Sequence, residues 1–190
     1  VAIFARMNNI ALESARIWYE TDPRSSRAAQ VLVGLLLGAG QLQEAYPHLR
    51  SMLATSSADP AETFLQVVRS LANVRDKAAS LQLMQRLGAD HAALPQAHLA
   101  IAQAALAAER EDIAFEEVRK AQALRPDWEA AVLFEAQILQ RKSNLDAINR
   151  LARHLERYPN SRDIRMNYAR ALVTEQRFAE ARAEFQKLLA

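Results

Sequence analysis

Residues 162–189 read RDIRMNYARALVTEQRFAEARAEFQKLL. Two amphipathic segments of about a dozen residues each flank a polar break at Glu175-Gln176-Arg177. Tyr168, Ala169 and Leu172 mark the first segment; Phe178, Ala181, Phe185 and Leu188 mark the second. Steps of three and four residues put each set along one stripe of a helix. The stretch therefore predicts a helical hairpin.

Copies of this pattern recur upstream. Gly40-Gln41-Leu42-Gln43-Glu44-Ala45 and Glu109-Arg110-Glu111-Asp112-Ile113-Ala114 both align with Gln176-Arg177-Phe178-Ala179-Glu180-Ala181. Ala45, Ala114 and Ala181 become equivalent; then come Leu49, Val118 and Phe185, followed by Met52, Ala121 and Leu188. Pro23, Pro126 and Pro159 close units, and Ser57 stands where a proline would fall. The spacing is 34 residues, or 33 between Pro126 and Pro159. A fixed period of this size marks a stacked array of helix pairs, in which one unit cannot bury its own apolar face.

Punctuation signals outline about twelve short helices. A stub is expected at the start, then a helix from about Asn9 to Glu20 that stops at Asp22-Pro23. Ser25 and Ser26 supply N-cap chemistry for a helix to Ala39, and Leu42 to Ala54 returns. Asp59-Pro60-Ala61-Glu62 combines a capping Asp, a first-position Pro and a Glu three residues after the cap. That helix reaches Asn73; Asp76 opens the next, which ends at Gly88. Pro95 to Ala108, Asp112 to Leu124, a helix capped by Asp127, one from Asn144 and one capped by Ser161 complete the series. The expected organisation is one array over 1–190: a partial unit 1–25, then 26–59, a divergent 60–94, 95–128, 129–161 and 162–190.

Composition narrows the function classes. Of 190 residues 38 are Ala, which favours closely packed helices over a membrane span. The most apolar run, Ala28 to Ala39, is too short to cross a bilayer. Gly34 and Gly38, four apart within it, are expected to permit a close helix–helix approach. With 24 basic and 22 acidic residues the charge is too balanced for a general polyanion binder. Cysteine is absent, so neither disulfide nor thiolate chemistry is available.

The 34-residue unit resembles the tetratricopeptide repeat, whose pattern is Trp, Leu-Gly and Tyr in the first helix, then Ala, Phe and Pro. In the last unit Arg165 takes the Trp place, Tyr168-Ala169 the Leu-Gly pair and Leu172 the Tyr, while Ala181 and Phe185 match directly. The Pro126 unit carries Ile101-Ala102, Ala105, Ala114, Val118 and Ala121 in register. The resemblance covers essentially the whole chain and implies an all-α fold, a right-handed α-solenoid of stacked antiparallel helix pairs with about 5.5 repeats. It also implies a groove lined by the first helix of each unit. Carried over by position, its residues are Arg27 and Gln30; Gln96, Leu99, Gln103 and Ala107; Leu133, Gln137, Gln140 and Arg141; Asp163, Met166, Arg170 and Thr174.

Catalytic signals are missing. His48, His91, His98 and His154 show no metal-ligand spacing and are expected on the surface or partly packed; Glu116-Glu117 and Glu109/Glu111/Asp112 read as solvated faces. No glycine-rich phosphate loop or nucleophile turn is present, and Trp18 and Trp128 read as packing residues. No enzyme, cofactor or metal is expected. Carboxylate-gripping members of the family need clustered Lys and Asn, whereas Asn167 is here accompanied by Leu133, Phe134 and Gln137. An RNA-reading groove is disfavoured too, because only Arg141 and Arg170 are cationic among the groove positions of the last units. The expected function is a protein-interaction scaffold or adaptor that takes an extended or helical partner segment, with no nucleic acid and no membrane insertion. A spacer or self-association module, joined through exposed end helices, is the alternative. The start at Val1 and the apolar Leu188-Leu189-Ala190 end suggest a piece of a longer chain. Its Arg- and Ala-rich style resembles large proteobacterial adaptors and lipoproteins, with a lean towards the cell envelope.

Overall fold

The computed structural model describes residues 2–54 and 59–189, and all regular structure among them is helical. Ser57 lies outside the described residues. Cα proximity divides the chain into two compact units, Val1–Arg110 and Glu111–Ala190.

The first unit contains α1 (Ala2–Thr21), α2 (Ser26–Gly38), α3 (Leu42–Ala54), α4 (Pro60–Leu71), α5 (Lys77–Ala89) and α6 (Pro95–Ala107). The expected break before Asn9 is absent, and α1 runs unbroken for 20 residues. Asn8-Asn9 costs only a fraction of a kcal/mol per residue in helix propensity, and neither Gly nor Pro is there to stop the helix. Ser25, Asp59 and Asp76 cap α2, α4 and α5 by accepting from the amides of Ala28, Ala61 and Ala79. The core holds Leu32, Leu36, Leu37, Leu49, Phe64 and Met84 with almost no exposure. α2 packs on α1, α3 and α4. In the divergent 60–94 stretch, α4 packs on α2 and α6, and α5 on α3 and α6.

Gly34 and Gly38 do not mediate a close approach, because a Cβ at either would meet nothing within 4 Å. The buried face of α2 is Ala28, Leu32, Val33, Leu36 and Leu37, and the glycines fall on its open side. Gly88 occupies the close crossing instead: a Cβ there would stand 2.6 Å from Ile101 Cδ1.

The second unit contains α7 (Glu111–Leu124), α8 (Glu129–Gln140), α9 (Asn144–Arg157), α10 (Arg162–Thr174) and α11 (Phe178–Leu189). α8 packs on α7, α9 and α10, and α10 on α9 and α11. Val132, Ala136, Ala147, Leu151, Leu155 and Ile164 form one apolar cluster. Ile148, Ala171, Leu172 and Ala181 form another, with Tyr168 and Phe185 packed against it. Asp127 does not cap α8; Trp128 holds the cap position and offers no side-chain bond. Ser161 holds the α10 cap position, but its hydroxyl faces His154 Nε2 at 3.3 Å rather than the helix. His154 is thereby fully packed among its neighbours, not on the surface.

The aligned hexapeptides share one backbone turn. Gly40, Glu109 and Gln176, the first residue of each, have φ of 74°, 59° and 58°. The next amides, of Gln41, Arg110 and Arg177, reach back to the carbonyls of Leu36, Ala105 and Leu172, each at 2.9 Å. This is a Schellman-type helix end, which needs a left-handed residue at its hinge. Register is also visible in burial: Ala45 and Ala114 are 0% exposed and Ala181 2%. The small side chain at each of these places permits close helix contact.

Candidate functional site

The positions carried over from the repeat pattern fall on α2, α6, α8 and α10. On α8, Leu133, Gln137, Gln140 and Arg141 follow a helical i, i+4, i+7, i+8 spacing, with Leu133 half-buried and the other three exposed. On α10, Met166 is half-buried, and Asp163, Arg170 and Thr174 are exposed. α8 and α10 pack side by side, so these two rows belong to neighbouring helices of one unit.

Several of these side chains are already engaged. Gln140 Nε2 donates to Asn144 Oδ1 at 3.0 Å, and Thr174 Oγ1 to the Arg170 carbonyl at 3.2 Å. Arg141 lies 3.5 Å from Glu111, which Lys142 approaches to 2.7 Å. The Lys142 hydrogen bond holds the Glu111 carboxyl below the usual carboxylate range. Asn167 donates to the Asp163 carbonyl of its own helix. Gln137, Asp163 and Arg170 are the exposed polar residues of these two rows whose side chains carry no such bond.

On α6 the outcome is mixed. Leu99 is 2% exposed and belongs to the core, so it cannot act as a groove anchor. α6 is packed by both α4 and α5, which turns most of its circumference inward. Gln96 and Gln103 remain half-buried and Ala107 exposed. The Gln96 Oε1 atom is covered yet lacks a hydrogen-bond partner. On α2, Arg27 and Gln30 are exposed.

Other expectations also change. Trp18 is 42% exposed on α1 and does not fill the core, whereas Trp128 is half-buried. At the chain's last helix Leu188 packs inward, and the Arg162 guanidinium donates to its carbonyl at 2.7 Å. Leu189 projects, at 89% exposure. Among the described residues no group of His, Cys, Asp or Glu could hold a metal ion, and no helix is long and apolar enough to cross a membrane.

A buried polar group that the sequence did not announce lies behind α8. Glu135 pairs with Arg150 of α9, and Gln122 of α7 bonds both, donating to Glu135 Oε2 and accepting from Arg150 at 2.9 Å each. Sequence separations of 13 to 28 residues hid this triad from any local reading.

Residues 139–190 match the family model of the tetratricopeptide repeat. No curated protein sequence matches the chain. Among solved structures, MamA from Desulfovibrio magneticus is similar at TM-score 0.54 and 15% identity, over 86% of this chain and 92% of that one. TTC0263, a thermophilic tetratricopeptide-repeat protein of Thermus thermophilus, aligns at 0.52 and 20% identity over 91% and 95%. YrrB, described as a tetratricopeptide-repeat protein with an unusual peptide-binding site, aligns at 0.51 and 13% identity over 94% and 92%. At such identities the likeness is one of fold. Residues 139–190 thus carry the tetratricopeptide-repeat pattern, and the helix-pair fold of the chain is similar to that of tetratricopeptide-repeat proteins. Such proteins generally serve as protein-interaction scaffolds.

Proposed function

We propose that the chain is a scaffold that takes an extended or helical segment of a partner protein along the open faces of α8 and α10. The observation that carries this is the pairing of half-buried Leu133 and Met166 with exposed Gln137, Arg170 and Thr174 on two adjacent first helices. An apolar floor edged by amide and guanidinium groups suits a peptide, whose side chains anchor in apolar hollows while its backbone is oriented by hydrogen bonds. Within the first unit, Gln96 and Gln103 of α6 are half-buried amide groups of the same kind.

The test is a double substitution, Gln137→Glu with Arg170→Glu, in a pull-down with partners identified by crosslinking at position 137. Loss of the crosslinked partner with an unchanged circular dichroism spectrum supports the reading. Retained capture sinks it. A self-association role is the second reading, favoured by the exposure of Ile10 and Ile17 on α1 and of Leu189 on α11. A mass that stays monomeric across concentration in light scattering would remove it.

A further inference from the structure

Between α7 and α9 lies a cavity of about 390 Å³ lined by four arginines and no carboxylate. Arg119 contributes from α7, and Arg150, Arg153 and Arg157 from α9, with His154 and Tyr158 beside them. The α9 arginines are spaced i, i+3, i+7, which puts all three on one face of that helix. α7 and α9 both pack on α8, and the cavity occupies the gap they leave above it.

The arginines have different duties. Arg150 is held by buried Glu135 and by Gln122, so it forms a fixed floor. The other three are exposed and have no carboxylate partner among the described residues: Arg153 Nε donates to the Asn149 carbonyl of its own helix, Arg157 rests 5.6 Å from the Tyr158 ring, and Arg119 5.8 Å from the Phe115 ring. Their terminal guanidinium nitrogens therefore remain available. Nearby cations behave otherwise, since Lys120 is satisfied by Glu116 and Glu117, and Arg125 lies 3.8 Å from Asp127. The carboxylates that act on His154 are those of Asp127, just before α8, and Glu129, its first residue.

We propose that this cavity is a docking site for an acidic segment of a partner protein, with carboxylates bridging Arg119 on one wall to Arg153 and Arg157 on the other. Volume argues for a peptide over a lone oxyanion, because the space lies in the range that holds a ligand of several groups. Guanidinium forks match carboxylates in two-point geometry and are more weakly hydrated than ammonium groups. The site is separate from the α8–α10 face. Gln122 bonds Ala131 and Glu135, two positions before Leu133 and Gln137, so the two surfaces lie about 200° apart around α8.

Fluorescein-labelled hexaglutamate, titrated against the 190-residue chain and followed by anisotropy at low ionic strength, tests this. Saturable binding is expected, weakening as salt is added. Charge reversal at Arg153→Glu with Arg157→Glu, and separately at Arg119→Glu, should each weaken it by at least about tenfold. Arg182→Glu, exposed on α11, should leave it unchanged. If the double variant melts below the parent protein, Arg119→Gln on the opposite wall carries the test. The proposal is overturned if hexaglutamate does not saturate, if Arg182→Glu weakens binding as much as the pocket variants, or if a labelled single-stranded oligonucleotide binds through the same arginines more tightly than the peptide.

Discussion

Glu135 and Arg150 form an ion pair across the α8–α9 interface with side chains only 8% and 18% accessible. Gln122 closes the group by bonding both partners, so the two largely buried charges are engaged with each other and with a shared amide. This triad joins three consecutive helices and fixes one wall of the cationic cavity. Breaking such a pair leaves a charge without compensation, whereas replacing both partners with apolar groups costs far less.

Glu135→Ala should therefore destabilise the protein by about 3 kcal/mol, read from urea denaturation. Adding Arg150→Met should recover much of that loss. A cost below about 0.5 kcal/mol for the single change, as at an exposed ion pair, would contradict the buried assignment.

Ala181→Arg tests the register of the last helix pair. Ala181 is nearly inaccessible, clustered with Ile148, Ala171 and Leu172. No room exists there for a guanidinium, and the change should cost at least about 2 kcal/mol through overpacking and charge burial. A thermal scan with an unaltered midpoint would count against the packing described.

The helical glycines should respond in opposite ways. Gly34→Ala meets open space and should stabilise α2 by about 0.5–1 kcal/mol, the propensity gain alone. At Gly88 the added methyl meets Ile101 Cδ1, so Gly88→Ala should lose that gain. In an Ile101→Val background the colliding atom is gone, and the same substitution should turn favourable. Equal effects of Gly34→Ala and Gly88→Ala on chemical denaturation would refute the crossing.

His154 makes stability depend on pH. Burial lowers its pKa below the ordinary value of 6.5, and the Arg150 charge acts in the same direction. The unfolded chain thus takes up the proton more readily than the folded one, and stability rises with pH in this range. The contribution is fully present above pH 6.5 and is lost as pH falls through 6.5 towards the lowered folded value. Wild type should lose more stability than His154→Gln between neutral and mildly acidic buffer, measured by paired melts. A parallel decline in both proteins would assign the pH dependence elsewhere.

Helix identity, repeat length and the small-residue crossings at Ala45, Ala114 and Ala181 were legible because each is a local periodic pattern. A turn needs its hinge residue and a crossing needs its alanine, and both recur at a fixed distance along the chain. Even the non-glycine hinges Glu109 and Gln176 could be placed by alignment with Gly40. What only the tertiary structure decided was which side of each helix is covered. Leu99 occupies a groove position by count, yet α4 and α5 enclose α6 and take it into the core. Gly34 and Gly38 look like a contact motif but face open space, because α2 turns its leucines inward. The cationic cavity and its buried Glu135 depend on residues far apart in sequence. Side-chain partners across a stack are set by distance in space, which a period along the chain does not encode.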